Sequence, residues 1–357
     1  MKMKKNQLID LFTTICRIDS PTGQEKAMAD FVIDFCKKYT DIVRKDKFGN
    51  VYVRYGSQPR IFFSAHLDTV EPGRGIKPKI SGEYIVPSDD TILGADNKVA
   101  VACILQTLKE FAQSKENVAF EVVFTLSEEV GNYGAINFNY QWLKAKVGFC
   151  FDSSNPLGAI ITASPFYERF DVKIIGKEAH ASKPKEANNI LYPLRELLKL
   201  QKLGQIDRYS LFNIGVINSG YVRNTIPGEI NLYGEIRSFY EKNLIKIRNQ
   251  FIGYLNKIKN KYNIAVIKEF VRENPGYFNK EKKLISRLKQ TLTKINLKPV
   301  LLPSWGVSDA NIFNEKGLTV FNLADATEFS HSKKERIKIK DLLKLKEVIK
   351  IITYDLG

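Results

Sequence analysis

PRIFFSAHLDTV, residues 59–70, decides the architecture. An apolar run of strand character ends in His66, and Asp68 follows two places on. A short apolar run bounded by a proline and a polar exit is what a strand buried on both faces looks like. Two further runs end the same way. NVAFEVVFTLSEE (117–129) closes on Glu128 and Glu129, and VGFCFD (147–152) closes on Asp152. Between them GADNKVAVACILQTLKEFAQ (94–113) reads as a helix from about residue 97, with Asp96 in the loop before it. Strands alternating with helices predict a mainly parallel sheet covered by helices, an α/β fold.

In such a sheet, functional groups collect beyond the carboxyl ends of the strands. His66, Asp68, Asp96, Glu128, Glu129 and Asp152 would then share a small volume although they are dispersed in sequence. Carboxylates packed that closely repel, and each raises the others' pKa. A divalent cation removes the conflict, and a set of imidazole and carboxylates suits Zn²⁺, with Mn²⁺ or Co²⁺ as alternatives. Asp68, at the same-face distance of an extended chain, is placed to take the second ring N–H of a metal-bound His66. Glu128 and Glu129, being adjacent, would point apart, one to metal and one to substrate as a general base. A single carboxylate at a strand end is more often a loop solubiliser or a helix cap. Four such ends joined by one of only three histidines is another matter.

Outward from this block, residues 6–17 and 24–39 read as helices, the second with Thr22 as N-cap and Glu25 completing a capping box. A further short helix is expected over 132–144. Near residue 163 the pattern changes to strand-helix-strand-strand-helix-strand, which fits a smaller α+β domain over 163–272 inserted in a discontinuous main domain of 1–162 and 273–357. Helix and strand alternation resumes from about 280, with a last helix from about 337.

Composition excludes several classes. The 357 residues carry 55 Lys and Arg against 39 Asp and Glu, a net charge of +16. The lysines are dispersed, and no nucleic-acid or phosphate-loop signature accompanies them, so no nucleic-acid partner is expected. No apolar run approaches the roughly 18 residues of a membrane span. Cys16, Cys36, Cys103 and Cys150 are far apart and read as reduced thiols in a cytoplasmic protein.

The ordered set HLDTV, GADNK, SEEVG and FDSS resembles the successive metal-site motifs of the M20 metallopeptidases, and most closely their peptidase T-like, or tripeptidase, branch. The resemblance runs nearly end to end. It implies a zinc-exopeptidase-like catalytic domain with an inserted lid, and two metal ions. His66 and Asp152 would bind the first ion, with Asp68 behind His66. Asp96 would bridge both, and Glu129 and His331 would bind the second. Glu128 would be the general base. His180, in GKEAHAS, would help hold the oxyanion, from its own subunit or a neighbouring one. Asn224 and Arg237 match substrate-contacting positions, Arg237 as a carboxylate clamp. The Asp96–Asn97 peptide would be cis. The lid would close over the substrate and could carry a homodimer contact.

The implied activity is hydrolysis of short peptides, releasing the N-terminal residue of a tripeptide. The alternative is an N-acyl amino acid deacylase or a dipeptidase on the same scaffold. One departure bears on this choice. WGVSDANIF (305–313) stands where Gly-Gly-Ser-Asp is common, so Trp305 and Val307 are expected to crowd a wall near the substrate.

Overall fold

The computed structural model describes residues 2–357, with side chains from residue 7 onward. Its contacts separate two units. One comprises the chain up to Thr162 with Phe278–Ser304 and Ser308–Gly357, the other Ala163–Tyr277 with Trp305–Val307.

The larger unit is built on a mixed sheet. Four central strands run parallel in the order Phe120–Thr125, Ile61–His66, Val147–Phe151, Thr319–Leu323. Val51–Tyr55 and Ile42–Lys45 extend one edge antiparallel, and Ala159–Ser164 pairs antiparallel beyond Leu323. Every residue of Ile61–His66 and Phe120–Thr125 is buried. That explains why these strands read as continuous runs rather than alternating ones. Glu121 is the polar residue such a strand must satisfy internally. Its carboxylate accepts the Tyr52 hydroxyl at 2.6 Å and the Lys144 and Ala145 N–H groups. Helix Ala95–Ser114 is buried almost all round and packs against Lys2–Cys16 and Ile339–Leu356. Lys346 and Lys350 of the last helix reach Glu110 on it, at 2.6 and 3.0 Å.

The smaller unit is a five-stranded antiparallel sheet ordered Gly204–Asp207, Ser210–Ser219, Glu229–Ser238, Phe166–Ile175, Ala265–Asn274. Helices Leu191–Leu200 and Glu241–Tyr262 contribute Leu197, Phe251 and Leu255 to a core with Phe170, Val172, Leu232 and Ile236. Alternate residues of Phe166–Ile175 are buried, as one covered face requires. The return to the larger unit comes at Phe278 rather than 273, because the edge strand stays paired to Tyr167 as far as Asn274.

Three local expectations are corrected. The second helix is Lys26–Cys36, and no capping box opens it. Thr22 instead donates its hydroxyl to Asp68, and Glu25 accepts the N–H groups of Gly23 and Ser127 and the Ser127 hydroxyl. The capping residues found stronger partners across the fold than along the chain. The helix expected over 132–144 shrinks to Tyr133–Asn137 and a 3₁₀ turn at Tyr140–Trp142. Phe138 and Asn139 leave helical backbone there, and Tyr140 packs on Phe138 and Phe313. Finally, Glu128 and Glu129 lie in a turn entered through Ser127 at φ +52°, not in extended chain.

Candidate metal centre

The parallel strands deliver their polar ends to one edge. His66 is the last residue of its strand and stands in register with Thr125, the last residue of its neighbour. Glu128 and Glu129 follow Thr125, Asp152 follows Phe151, and the fourth strand leads through 324–330 to His331. Asp96 enters from the first turn of the buried helix, and the Asp96–Asn97 bond that follows it is cis.

The geometry centres on Asp96. Its Oδ1 lies 3.2 Å from His66 Nε2 and its Oδ2 lies 3.4 Å from His331 Nε2. One carboxylate thus spans two imidazoles. His331 Nε2 is also 2.9 Å from Glu129 Oε1. Donor atoms of His66, Asp96 and Asp152 fall within 4.8 Å of one another, and so do those of Asp96, Glu129 and His331. Two trios sharing Asp96 are the arrangement two ions would need. His66 and Glu128 also fall in a trio with Glu129.

Asp68 is fully buried and does more than the sequence suggested. His66 Nδ1 is 2.9 Å from the Asp68 main-chain carbonyl and 3.4 Å from its Oδ1. The carbonyl, not the carboxylate, is the nearer acceptor of the ring N–H. The carboxylate meanwhile takes the Glu128 and Glu129 N–H groups and the Thr22 hydroxyl.

Electrostatics tests whether a cation fits. Burial, with Glu128 and Asp96 close by, pushes the Asp152 carboxyl well above the usual range. Burial and the nearby Asp309 do the same to Glu128, against the pull of His66. Burial would lower the His66 imidazole, but Asp68 and Asp96 reverse this and hold it well above its ordinary value. His331 is drawn up to about 10 by Asp96 and Glu129. The protein alone therefore concentrates more negative charge than it can neutralise. The donors are imidazole nitrogens and carboxylate oxygens, so a divalent cation fits.

Several supporting residues went unassigned in the sequence. Glu335 is buried and accepts the Gly94 and Asp96 N–H groups at 2.6 and 3.0 Å. It sits in HSKKERIK, which reads as surface. Asn322 exchanges two hydrogen bonds with the Asp152 backbone. Asn132 donates its side-chain amide to both Glu128 and Asp309. Asp309 lies in the WGVSDANIF stretch singled out above, but its role there, like those of Glu335, Asn322 and Asn132, emerges only from three-dimensional proximity.

The smaller unit brings two expected residues together and occupies a third. His180 lies on a two-residue strand paired to Thr225–Ile226. Its Nδ1 accepts the Ser182 N–H, and its Nε2 lies 3.4 Å from the Asn224 amide. Arg237 is gripped by Glu235 through two 3.0 Å bonds, donates to the Trp305 carbonyl at 2.8 Å and lies over the Tyr167 ring. The Trp305 ring packs on Phe239 at 4.6 Å.

Comparison with known proteins gives a consistent picture. The model of peptidase family M20/M25/M40 matches residues 62–354. The uncharacterized protein YqjE of Bacillus subtilis (strain 168) is 27% identical over 362 residues, covering 97% of each chain. A solved tripeptidase from Staphylococcus aureus subsp. aureus Mu50 superposes with a TM-score of 0.94 at 26% identity, covering 98% of this chain and 97% of that one. Aminopeptidase PepT from Bacillus cereus ATCC 10987 gives 0.91 at 26% identity, covering 99% and 98%.

Proposed function

This chain belongs to peptidase family M20/M25/M40, and from that premise we propose that it is a two-metal exopeptidase releasing the N-terminal residue of short peptides, tripeptides foremost. Membership makes it a metal-dependent peptidase. The observation that carries the finer reading is the Asp96 carboxylate spanning His66 and His331, with Asp152 on one side and Glu129 on the other. The tripeptidase and aminopeptidase structures that superpose over nearly the whole chain support the substrate class.

His66, Asp96 and Asp152 would hold one ion, and Asp96, Glu129 and His331 the other, zinc being the metal these donors suit best. When bound, such a pair lowers the pKa of a water towards neutrality and polarises the scissile carbonyl. The residues do the rest. Asp68 fixes the His66 ring and the backbone of the Glu128–Glu129 turn. Glu128, kept basic by burial, takes the proton of the attacking water and passes it to the leaving amine. His180, whose Nδ1 accepts the Ser182 N–H and so keeps its proton on Nε2, donates that proton's hydrogen bond to the developing oxyanion. Arg237 reads the substrate's carboxyl end through the N–H groups that Glu235 and Trp305 leave available. The four buried free thiols suit a reducing compartment and support a cytoplasmic location.

The test is hydrolysis of di- and tripeptides and N-acyl amino acids by purified protein, with EDTA and then Zn²⁺, Mn²⁺ or Co²⁺ restored, beside Glu128→Ala. Tripeptide cleavage abolished by EDTA and by Glu128→Ala is the expected result. Turnover confined to N-acyl substrates would move the chain to deacylase chemistry, and failure to bind metal would end the reading.

A further inference from the structure

Glu128 is held at both ends. Its backbone N–H is bound to Asp68 Oδ1 at 3.0 Å. Its carboxylate Oε1 accepts the Asn132 side-chain amide at 2.7 Å. The same amide nitrogen donates to Asp309 Oδ1 at 2.9 Å. Both of its hydrogens are thus committed. A reversed amide would aim its carbonyl oxygen at two carboxylates, so only one orientation satisfies the contacts. Asp309, the first residue of helix Asp309–Glu315, is pinned in turn, because its Oδ2 accepts the hydroxyl of Thr125. Thr125 is the register partner of His66.

Every member of this chain is buried, Asn132 to 1% exposure. Asn132 has φ +58°, in the left-handed region that asparagine tolerates better than most residues. Its N–H closes the turn on the Glu128 carbonyl at 2.9 Å. The turn therefore serves to swing the Asn132 side chain back under the glutamate. The charged groups facing the Glu128 carboxylate are His66, Asp309, Glu129, Asp68 and Asp152. Without a fixed donor, that crowd would decide which way the carboxylate turns.

We infer that Asn132 and Asp309 are positioning residues for Glu128: Asp309 aims the amide, the amide holds Oε1, and Oε2 is left presented for the proton of the attacking water. Both residues are buried, and their assigned action is through Glu128. The inference rests on the reading of Glu128 as general base.

The experiment uses the full chain loaded with Zn²⁺ and a tripeptide substrate. Asn132→Gly removes the amide and still accepts the positive φ. The expected result is a kcat lower by about 10- to 100-fold, part of the roughly 10²–10⁴-fold that general acid–base catalysis supplies, with KM within a factor of about three. Two ions should remain bound per chain. Asp309→Ala should cost a similar factor, and the double variant should be no worse than either single one, as residues acting in series behave. If Asp309→Ala does not fold, Asp309→Asn replaces it in the cycle with a smaller expected loss. An unchanged kcat in Asn132→Gly, a loss that tracks metal content, or strictly additive effects would overturn the inference. Glu128→Gln separates the two levels. Retained activity there removes the base assignment itself. An inactive Glu128→Gln beside a fully active Asn132→Gly removes only the positioning role.

Discussion

The carboxylate of Asp68 accepts the backbone N–H of Glu129 at 3.1 Å through Oδ2, having taken that of Glu128 at 3.0 Å through Oδ1. One buried side chain thereby sets the conformation of the turn that carries both glutamates. Burial alone would raise its pKa, but His66 and these two N–H groups hold it below the ordinary value. Asp68→Ala should lower kcat by at least about 100-fold, since it releases the His66 ring and the Glu128–Glu129 turn together. Steady-state kinetics with metal analysis on the same samples checks this. A variant with full metal content and wild-type kcat would show that Asp68 is dispensable.

Glu335 supports Asp96 from the opposite side. Its two oxygens accept the N–H groups of Gly94 and Asp96. Glu335→Gln keeps the volume but turns an amide donor towards one of those N–H groups. Metal affinity should fall by about 10- to 100-fold, the usual cost of disturbing a partner behind a ligand. Competition with a chelator of known affinity measures it, and an unchanged affinity would refute the supporting role.

Removing metal should also destabilise the larger unit. Ligand bound at 1,000 times its Kd adds about 4 kcal/mol to the folded state. Without it, the excess carboxylate charge around Asp96 is uncompensated. Calorimetry should show Tm falling by several degrees with EDTA and recovering with Zn²⁺. A Tm indifferent to both additions would contradict a preformed metal centre.

Away from the site, Glu110 gives a prediction of pH dependence. Burial raises its pKa, but Lys346 and Lys350 outweigh that and bring it down to about 2. A group lowered in the folded state stabilises above its unfolded pKa near 4.5, and that contribution is lost as pH falls towards 2. Glu110→Gln should therefore cost on the order of 1–2 kcal/mol at pH 7 and little at pH 2. Urea melts of both proteins at the two pH values would decide, and an equal difference at both would exclude the ion cluster as the cause.

Gly134 tests the loop that carries the glutamates. A Cβ there would lie 2.2 Å from the Leu126 carbonyl oxygen and 2.7 Å from Asn50 Oδ1. Asn50 pins both ends of this loop, accepting the Leu126 N–H and donating to the Gly134 carbonyl. Gly134→Ala should destabilise by about 2 kcal/mol or more, because backbone rather than a flexible side chain must yield. A thermal melt within a degree of the wild type would show that the loop can relax.

How much of this was legible follows from what each feature depends on. The strand ends were readable because a strand buried on both faces is an uninterrupted apolar run, and the polar residue ending it stands out. His66, Asp152 and the glutamate pair needed nothing more. His331 was legible only through resemblance, because EFSHS follows no apolar run of its own. Glu335 was invisible for the same reason: lysines on either side make it look solvated, and only the Asp96 N–H shows otherwise. The capping box at Thr22 and Glu25 was a local pattern whose residues were drawn to Asp68 and Ser127 instead. A helix cap is worth about 1 kcal/mol, whereas hydrogen bonds to a buried carboxylate are worth about 1.5–3 kcal/mol each and leave a larger cost if unmade. The turn geometry that aims Asn132 at Glu128 left no mark in composition or period at all.

The contact between Glu129 and His331 spans 202 residues. At the roughly 5–20 residues per second of protein synthesis, the glutamate leaves the ribosome about 10–40 s before its partner. During that interval the acidic ends of three strands exist without the last histidine. The centre is therefore assembled late in biosynthesis, after the inserted unit has been made. If His331 completes the centre as proposed, the order of synthesis alone delays activity until the chain is nearly finished.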